Sequence, residues 1–289
     1  MISPELVEQV VVDILRSAVT SLPSDVVSAL EKAEAQETDD IARTQLSTIL
    51  ENIRCAEEIS VPMCQDTGIP LFFVSGNCDA DLEDAIRRGV ARGTVEIPLR
   101  PNAVHPLTRK NAGNNLGIEM PYIHYSPGPF GFIDITVMPK GAGSENMSAL
   151  RMFTPAEGTR CVKSFVLDTV VSAGGRPCPP TIVGVGIGGS SDIAMGLAKR
   201  ALLRPLNVKN PYPELQTFEE EVLEAINETG IGPMGLGGRA TSLGVRVGLA
   251  HCHTASLPVA VNIQCWSARR ASARIFLDGR VVYSKEGFW

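Results

Sequence analysis

Aromatic side chains are scarce. Two Trp, four Tyr and nine Phe make up 5% of the 289 residues, against 44% hydrophobic residues in all, so any core has to be mainly aliphatic. No run of about 18 consecutive apolar residues occurs, which excludes an ordinary membrane-spanning helix. No basic cluster stands out against the net charge of −6, so nucleic acid is not expected as a partner. The opening Met-Ile-Ser-Pro-Glu-Leu-Val-Glu lacks the basic and apolar regions of a secretory signal, and a cytoplasmic protein is expected. Thiols there stay reduced, and an odd count of seven cysteines without a C-x-x-C pair gives no disulfide framework. G-x-S-x-G elbows, Ser/His/Asp signatures, internal repeats, low-complexity tracts and clear linkers are all missing. The expectation is one domain over residues 1–289, with a helical region at 1–60 and an α+β core at 61–289.

What is present begins with helix signals. Ser3-Pro4 reads as a cap followed by proline at the first helical position, with Leu6, Val10, Ile14 and Leu15 at helix spacing. Further helices are expected from Ser24-Asp25, from Asp39 or Asp40 to about Glu58, and from Asp79 to Arg92. Residues 70–75 read as a buried strand, and 95–120 as an irregular stretch rich in Pro, Asn and Gly. Tyr122–Tyr125 and Phe132–Met138 read as strands separated by the turn at 126–131. Helices follow at 155–173, 192–203 and 217–229, and strands at 181–187, 242–251 and 258–263. Residues 275–283 read as a hairpin about Asp278-Gly279. This is an α+β layout: a helical N-terminal region followed by a sheet with long loops. Long ordered loops usually carry function.

Three cysteines stand in loop-like settings: Cys64 before Gln65-Asp66-Thr67-Gly68, Cys178 among prolines and glycines, and Cys265 before Trp266. Thiolates held by rigid backbone and left unblocked can anchor three irons of a cubane cluster and leave the fourth iron open. Cys55 and Cys161 sit inside helical patterns, where cysteine is most often a small buried hydrophobe; Cys78 is ambiguous. Gly184, Gly186 and Gly189 satisfy G-x-G-x-x-G, but no second strand with an acidic end follows the next helix. A glycine turn where backbone passes close to a ligand or another chain is the better reading. His251 and His253 flank Cys252 at the end of an expected strand. They read equally as zinc ligands needing two more partners, as buried hydrogen-bonded histidines, or as acid–base or substrate-contacting groups. Asp66 can serve proton transfer or simply close an Asx-turn with Gly68 left-handed. Arg100, Arg109, Arg239, Arg269 and Arg270 lie in or beside loops, where arginine binds carboxylates or is merely solvated.

Taken together, several segments resemble the alpha subunit of two-subunit class I fumarases and L-tartrate dehydratases, the iron–sulfur hydro-lyases. They are residues 63–68, Leu99-Arg100 through Pro106-Leu107 to Asn114-Asn115-Leu116, residues 140–146, 178–189 and 253–265, in that order and nearly end to end. The resemblance implies a 4Fe–4S cluster held by Cys64, Cys178 and Cys265, with the open iron acting as a Lewis acid on a substrate carboxylate and hydroxyl. It implies that Gln65, Arg100 and Gly143 bind substrate, Arg100 as a carboxylate clamp, and that Asp66 and His253 are catalytic. The family triplet Gly-Gly-Gly stands here as Gly141-Ala142-Gly143. The implied reaction is reversible hydration of fumarate to (S)-malate, a tricarboxylic acid cycle step; dehydration of L-tartrate is the alternative, and a zinc-binding scaffold subunit the reading from another class. In single-chain members a second domain carries further arginines, a lysine and a threonine. The chain ends at Trp289 without it, so a beta subunit, in an α2β2 assembly or around an alpha dimer, is expected to close the site.

Overall fold

The structure is a computed structural model describing residues 2–76, 80–128 and 131–288. Cys78, the expected helix start at Asp79 and part of the turn at 126–131 lie outside the described residues. In chain order the helices and strands begin with α1 (Pro4–Thr20), α2 (Ser24–Gln36), α3 (Asp40–Glu58), β1 (Ile69–Ser75) and α4 (Ala80–Glu96). There follow β2 (Tyr122–Ser126), β3 (Phe132–Lys140), α5 (Ala142–Glu145), β4 (Ala149–Phe153), α6 (Gly158–Ala173) and β5 (Thr181–Ile187). The rest are α7 (Ser191–Ala201), α8 (Pro213–Glu228), β6 (Ser242–Leu249), β7 (Leu257–Gln264), β8 (Ala271–Phe276) and β9 (Val281–Ser284). The chain divides into two compact units: Met1–Ser24, Asn52–Ala142 and Arg269–Trp289, and Asp25–Glu51 with Gly143–Ala268.

The first unit holds a five-stranded sheet in the order β2-β1-β3-β8-β9, in which β1 and β2 are parallel and the other pairs antiparallel. Its helix α1 starts as the sequence predicts: Pro4 occupies the first turn and Ser3 Oγ accepts from Leu6 N at 3.2 Å. The apolar stripe Val7, Val10, Val11, Ile14 and Leu15 is buried with Ile86 and Val90 of α4 and with Phe72, Ile135, Val137 and Ile275 of the sheet. Each such side chain contributes roughly 1.5–3 kcal/mol when fully buried. Gly89 lets α4 lie close to α1, since a Cβ there would stand 2.6 Å from Val11 Cβ. Residues 97–121 are irregular, as expected, apart from isolated bridges between Val104 and Asn111 and between Gly117 and Met120.

The second unit holds a four-stranded sheet, β4-β7-β5-β6, with β5 parallel to β6 and antiparallel to β7. Val162, Val166 and Val170 of α6 and Phe218, Val222 and Ile226 of α8 pack against one face, on Val183, Val185, Val261 and Ile263. Helix α7 covers the other. There Gly184 and Gly186 point at the helix backbone, and a Cβ would meet Ala198 O at 2.1 Å and Ala194 O at 2.0 Å. The G-x-G-x-x-G match thus has its first two glycines inside β5. Their close approach is to a helix of the same chain rather than to a ligand or another chain. The buried Glu219 of α8 is satisfied by Arg204 and Arg246 and by Asn210 Nδ2 and Val247 N, both at 2.7 Å.

The α+β class expected from the sequence holds, but the single expected sheet is two. β2 and β3 follow one another without pairing, because β1 lies between them. The strand β4 was not foreseen, and α4 runs a turn beyond Arg92, to Glu96. The hairpin about Gly279, whose φ is +85°, is present, although β8 begins at Ala271. No described helix is long and apolar enough to cross a membrane.

Candidate functional site

In the first unit, Cys64 follows an anchored backbone: Met63 N donates to Val19 O at 3.0 Å and Asn52 Nδ2 to Met63 O at 2.9 Å. The next turn is the Asx-turn that the sequence allows. Gly68, at φ +82°, donates its N–H to Asp66 Oδ1 at 3.0 Å. Asp66 reaches further. Its Oδ1 also accepts from Asn102 Nδ2 at 3.2 Å, its Oδ2 accepts from Ala142 N at 2.8 Å, and its carbonyl accepts from Arg269 Nη1 at 2.8 Å. Gly141 runs beside the carboxylate, where a Cβ would stand 3.1 Å from Oδ2. Gln65 and the Arg100 side chain are exposed.

The Arg100 backbone is tied to the same turn. Thr67 Oγ1 accepts from Arg100 N at 3.0 Å, and Asn115 Nδ2 donates to Arg100 O at 3.2 Å. Asn115 Oδ1 accepts from Asn102 N at 2.7 Å and Ala103 N at 3.3 Å. Asn115 is buried at φ +59°, a left-handed conformation that asparagine tolerates better than most residues. The sequence offered Asn115 only as part of a motif and gave Asn102 no role. Arg269 and Arg270, expected in or beside loops, are both buried, 2% and 3% exposed. Arg109 and Arg239 are exposed.

In the second unit, Cys178 sits at φ +55° in a braced loop. Trp266 N donates to Cys178 O at 3.1 Å, Met234 N to Pro179 O at 2.9 Å, and Gly175 packs so closely on Gly235 that neither has room for a side chain. The 230–240 loop is held in turn by the buried Glu37, which accepts from Arg239 N at 2.8 Å, Thr38 N at 2.8 Å and Asp39 N at 3.2 Å. Burial works to raise the Glu37 carboxyl value, but the backbone donors led by Arg239 outweigh it and hold the group below the ordinary glutamate range. Cys265 closes β7 and points its Sγ at Ser267 O, 3.6 Å away. Gly143 lies in α5, where a Cβ would stand 3.3 Å from Arg176 O.

β6 ends at Leu249, so His251, Cys252 and His253 follow the strand rather than sit in it, and all three are exposed. The expected strand therefore does not carry them, and the buried-histidine reading is overturned. His253 Nδ1 accepts from Ala255 N at 3.1 Å, which leaves Nε2 to carry the proton of the neutral ring. Cys55 is exposed on α3 and Cys161 half-buried on α6, so neither is the fully buried small hydrophobe expected. Among the described residues no group of three or more His, Cys, Asp and Glu side chains stands gathered for a metal ion. As donors, Cys64, Cys178 and Cys265 suit iron–sulfur ligation: each is half-buried, in a loop or at a strand end, and outside any disulfide.

The sequence profile of the fumarate hydratase (Fumerase) family matches residues 8–274, and the chain belongs to that family of hydro-lyases. It is 48% identical over 283 residues to a putative L(+)-tartrate dehydratase subunit alpha of Methanocaldococcus jannaschii, covering 95% of this chain and 99% of that protein. It is 33% identical over 264 residues to the L(+)-tartrate dehydratase subunit alpha of Escherichia coli, covering 90% and 87%. A putative class I fumarate hydratase of Geobacillus stearothermophilus is 36% identical over 269 residues, which cover 89% of this chain but 52% of that longer protein.

Proposed function

We propose that the chain is the alpha subunit of an iron–sulfur hydro-lyase that interconverts fumarate and (S)-malate. A 4Fe–4S cluster is held by Cys64, Cys178 and Cys265, and a beta subunit completes the pocket, as an α2β2 assembly. The observation that carries this reading is the family match over residues 8–274, which takes in all three cysteines in loops or at a strand end. When bound, such a cluster supplies an open Lewis-acidic corner for a carboxylate and a hydroxyl.

The chain's own residues supply the rest. Arg100 presents an exposed guanidinium suited to bidentate capture of a carboxylate. Gln65, exposed beside Cys64, adds an amide for the same substrate. Gly143 keeps a side chain away from backbone that approaches the substrate. Asp66, with both oxygens held, is the proton-transfer group at the carbon beside a carboxylate. His253 offers Nε2–H to a substrate oxygen.

A second reading has its own support. Two relatives named as L(+)-tartrate dehydratase alpha subunits are covered nearly end to end, and tartrate adds a single hydroxyl to malate. The test is steady-state kinetics of the chain co-purified with its beta subunit under anaerobic conditions. Fumarate, malate and both tartrate enantiomers are compared. Preference for fumarate and malate supports the first reading and preference for one tartrate the second. No turnover of any of them by iron-loaded protein overturns both.

A further inference from the structure

The stretch from Leu99 to Leu116 contains four asparagines, none of which the reaction as read above gives a task. Asn102 and Asn115 are nonetheless where the hydrogen bonds of this region converge. Asn102 Nδ2 donates to Asp66 Oδ1 at 3.2 Å and to Gly68 O at 3.1 Å, while its backbone N–H is taken by Asn115 Oδ1 at 2.7 Å. Asn115 spends its other group on Thr94 Oγ1 at 3.1 Å and Arg100 O at 3.2 Å. Thr67, one residue after Asp66, closes the circuit with Arg100 N at 3.0 Å. The turn that presents Asp66 and the loop that presents Arg100 are thereby bonded at three points, and every bond lies within the first unit.

We propose that Thr67, Asn102 and Asn115 are positioning residues that fix the Asp66 carboxylate and the Arg100 backbone in one frame, so that a dicarboxylate held by Arg100 meets Asp66 in a set geometry. The inference rests on the roles given to Asp66 and Arg100 above. Chemistry at carbon needs the carboxylate and the anchored substrate aligned closely, and misplacement of about 1 Å costs about a hundredfold in rate. Nothing else described on the Asp66 side chain replaces Asn102: its remaining donors are the backbone N–H groups of Gly68 and Ala142. Of the donors to this carboxylate only Asn102 is a side chain, so it alone can be removed by substitution without changing the backbone.

The frame has two halves with separate consequences. Asn102 bears on Asp66, and its loss should act on the chemical step. Thr67 bears on Arg100, and its loss should act on substrate capture. In the assembled alpha–beta enzyme, Asn102→Ala is expected to lower kcat about tenfold with KM within about twofold, and Thr67→Val to raise KM about tenfold with kcat within about twofold. A merely structural role would move both constants in both variants. Asn115→Asp keeps the acceptor for Asn102 N and Ala103 N but removes the donor to Arg100 O, and is expected to follow Thr67→Val. Hydrogen exchange on the full-length chain gives a second readout that needs no turnover. Asn102→Ala should speed exchange of the Ala142 amide, which Asn102 does not touch, and of the Gly68 amide, whose carbonyl it does touch, each about tenfold, and Thr67→Val should do the same at Arg100. Unchanged exchange at these amides, or equal losses in kcat and KM across the variants, overturns the frame. Asp66→Asn and Arg100→Met are the separate check: full turnover in either sinks the site reading, whatever the exchange data say of the frame.

Discussion

The backbone N–H of Trp266 donates to the carbonyl oxygen of Cys178 at 3.1 Å, joining the segment just past Cys265 to the loop that carries Cys178. Two thiols 87 residues apart in sequence are therefore carried by bonded backbone within one unit, and the Met234–Pro179 bond stiffens one of the two segments further. Cys178→Ser and Cys265→Ser are each expected to abolish retention of the cluster after anaerobic reconstitution. Cys161→Ser, on α6, should leave it intact. Bound iron and visible absorbance of the isolated chain are the measurements, and equal behaviour of Cys161→Ser and Cys178→Ser would show the ligand choice to be wrong.

The seat of α7 on β5 predicts two opposite effects of the same substitution. Gly186→Ala places a methyl group 2.0 Å from Ala194 O and is expected to destabilise by about 3 kcal/mol, the upper range for overpacking. Gly196, inside α7 with nothing within 4 Å of an added Cβ, should gain about 0.5–1 kcal/mol on change to Ala. Urea unfolding followed by circular dichroism measures both.

Glu37 makes part of the stability pH-dependent. Burial raises its carboxyl value, the donors led by Arg239 N more than offset this, and the folded value ends below the unfolded one. In that window the unfolded chain binds more protons. The contribution is therefore complete above the ordinary glutamate range and is lost as pH falls through the folded value. Denaturation midpoints of the wild-type chain should drop on acidification, and Glu37→Gln should flatten that dependence while lowering stability at neutral pH.

On the first sheet, Arg274 meets Asp134 in a two-pronged pair, Nε to Oδ1 at 2.7 Å and Nη2 to Oδ2 at 2.8 Å, with its guanidinium 4.0 Å from the centre of the Phe132 ring. Lysine can reproduce the charge but neither the fork nor the stacking. The pair is partly exposed, so Arg274→Lys should cost only about 1 kcal/mol, and Arg274→Ala somewhat more. A thermal shift series would separate them, and full rescue by lysine would show that charge alone matters.

Local signals were legible where one short stretch decides the outcome. Ser3-Pro4 marked the start of α1, Asp278-Gly279 marked the hairpin, and the glycine at position 68 marked the Asx-turn. What the sequence hid depended on partners far along the chain. β4 shows no alternation because Leu150, Arg151 and Met152 are all exposed on an edge strand. The turn after β2 gave no hint that β1 would come between it and β3. Around the candidate site, the residue types of Cys64, Asp66 and Arg100 were readable from their motifs. Asn102 and Asn115 were not, because an asparagine in an irregular stretch looks the same whether it is solvated or bonded to three segments. The placement of His251 and His253 in a strand failed for a simpler reason: that strand ends at Leu249.

The two glycines of β5 that face α7 have a consequence for how this chain can change over time. Both added methyl groups would collide with main-chain carbonyls, at Ala198 and Ala194, which no exchange of side chains on the helix can move aside. Drift can therefore rewrite the outer surface of α7 freely, while the strand beneath it stays almost locked. A pattern that scans as a nucleotide signature persists here as the imprint of one backbone upon another.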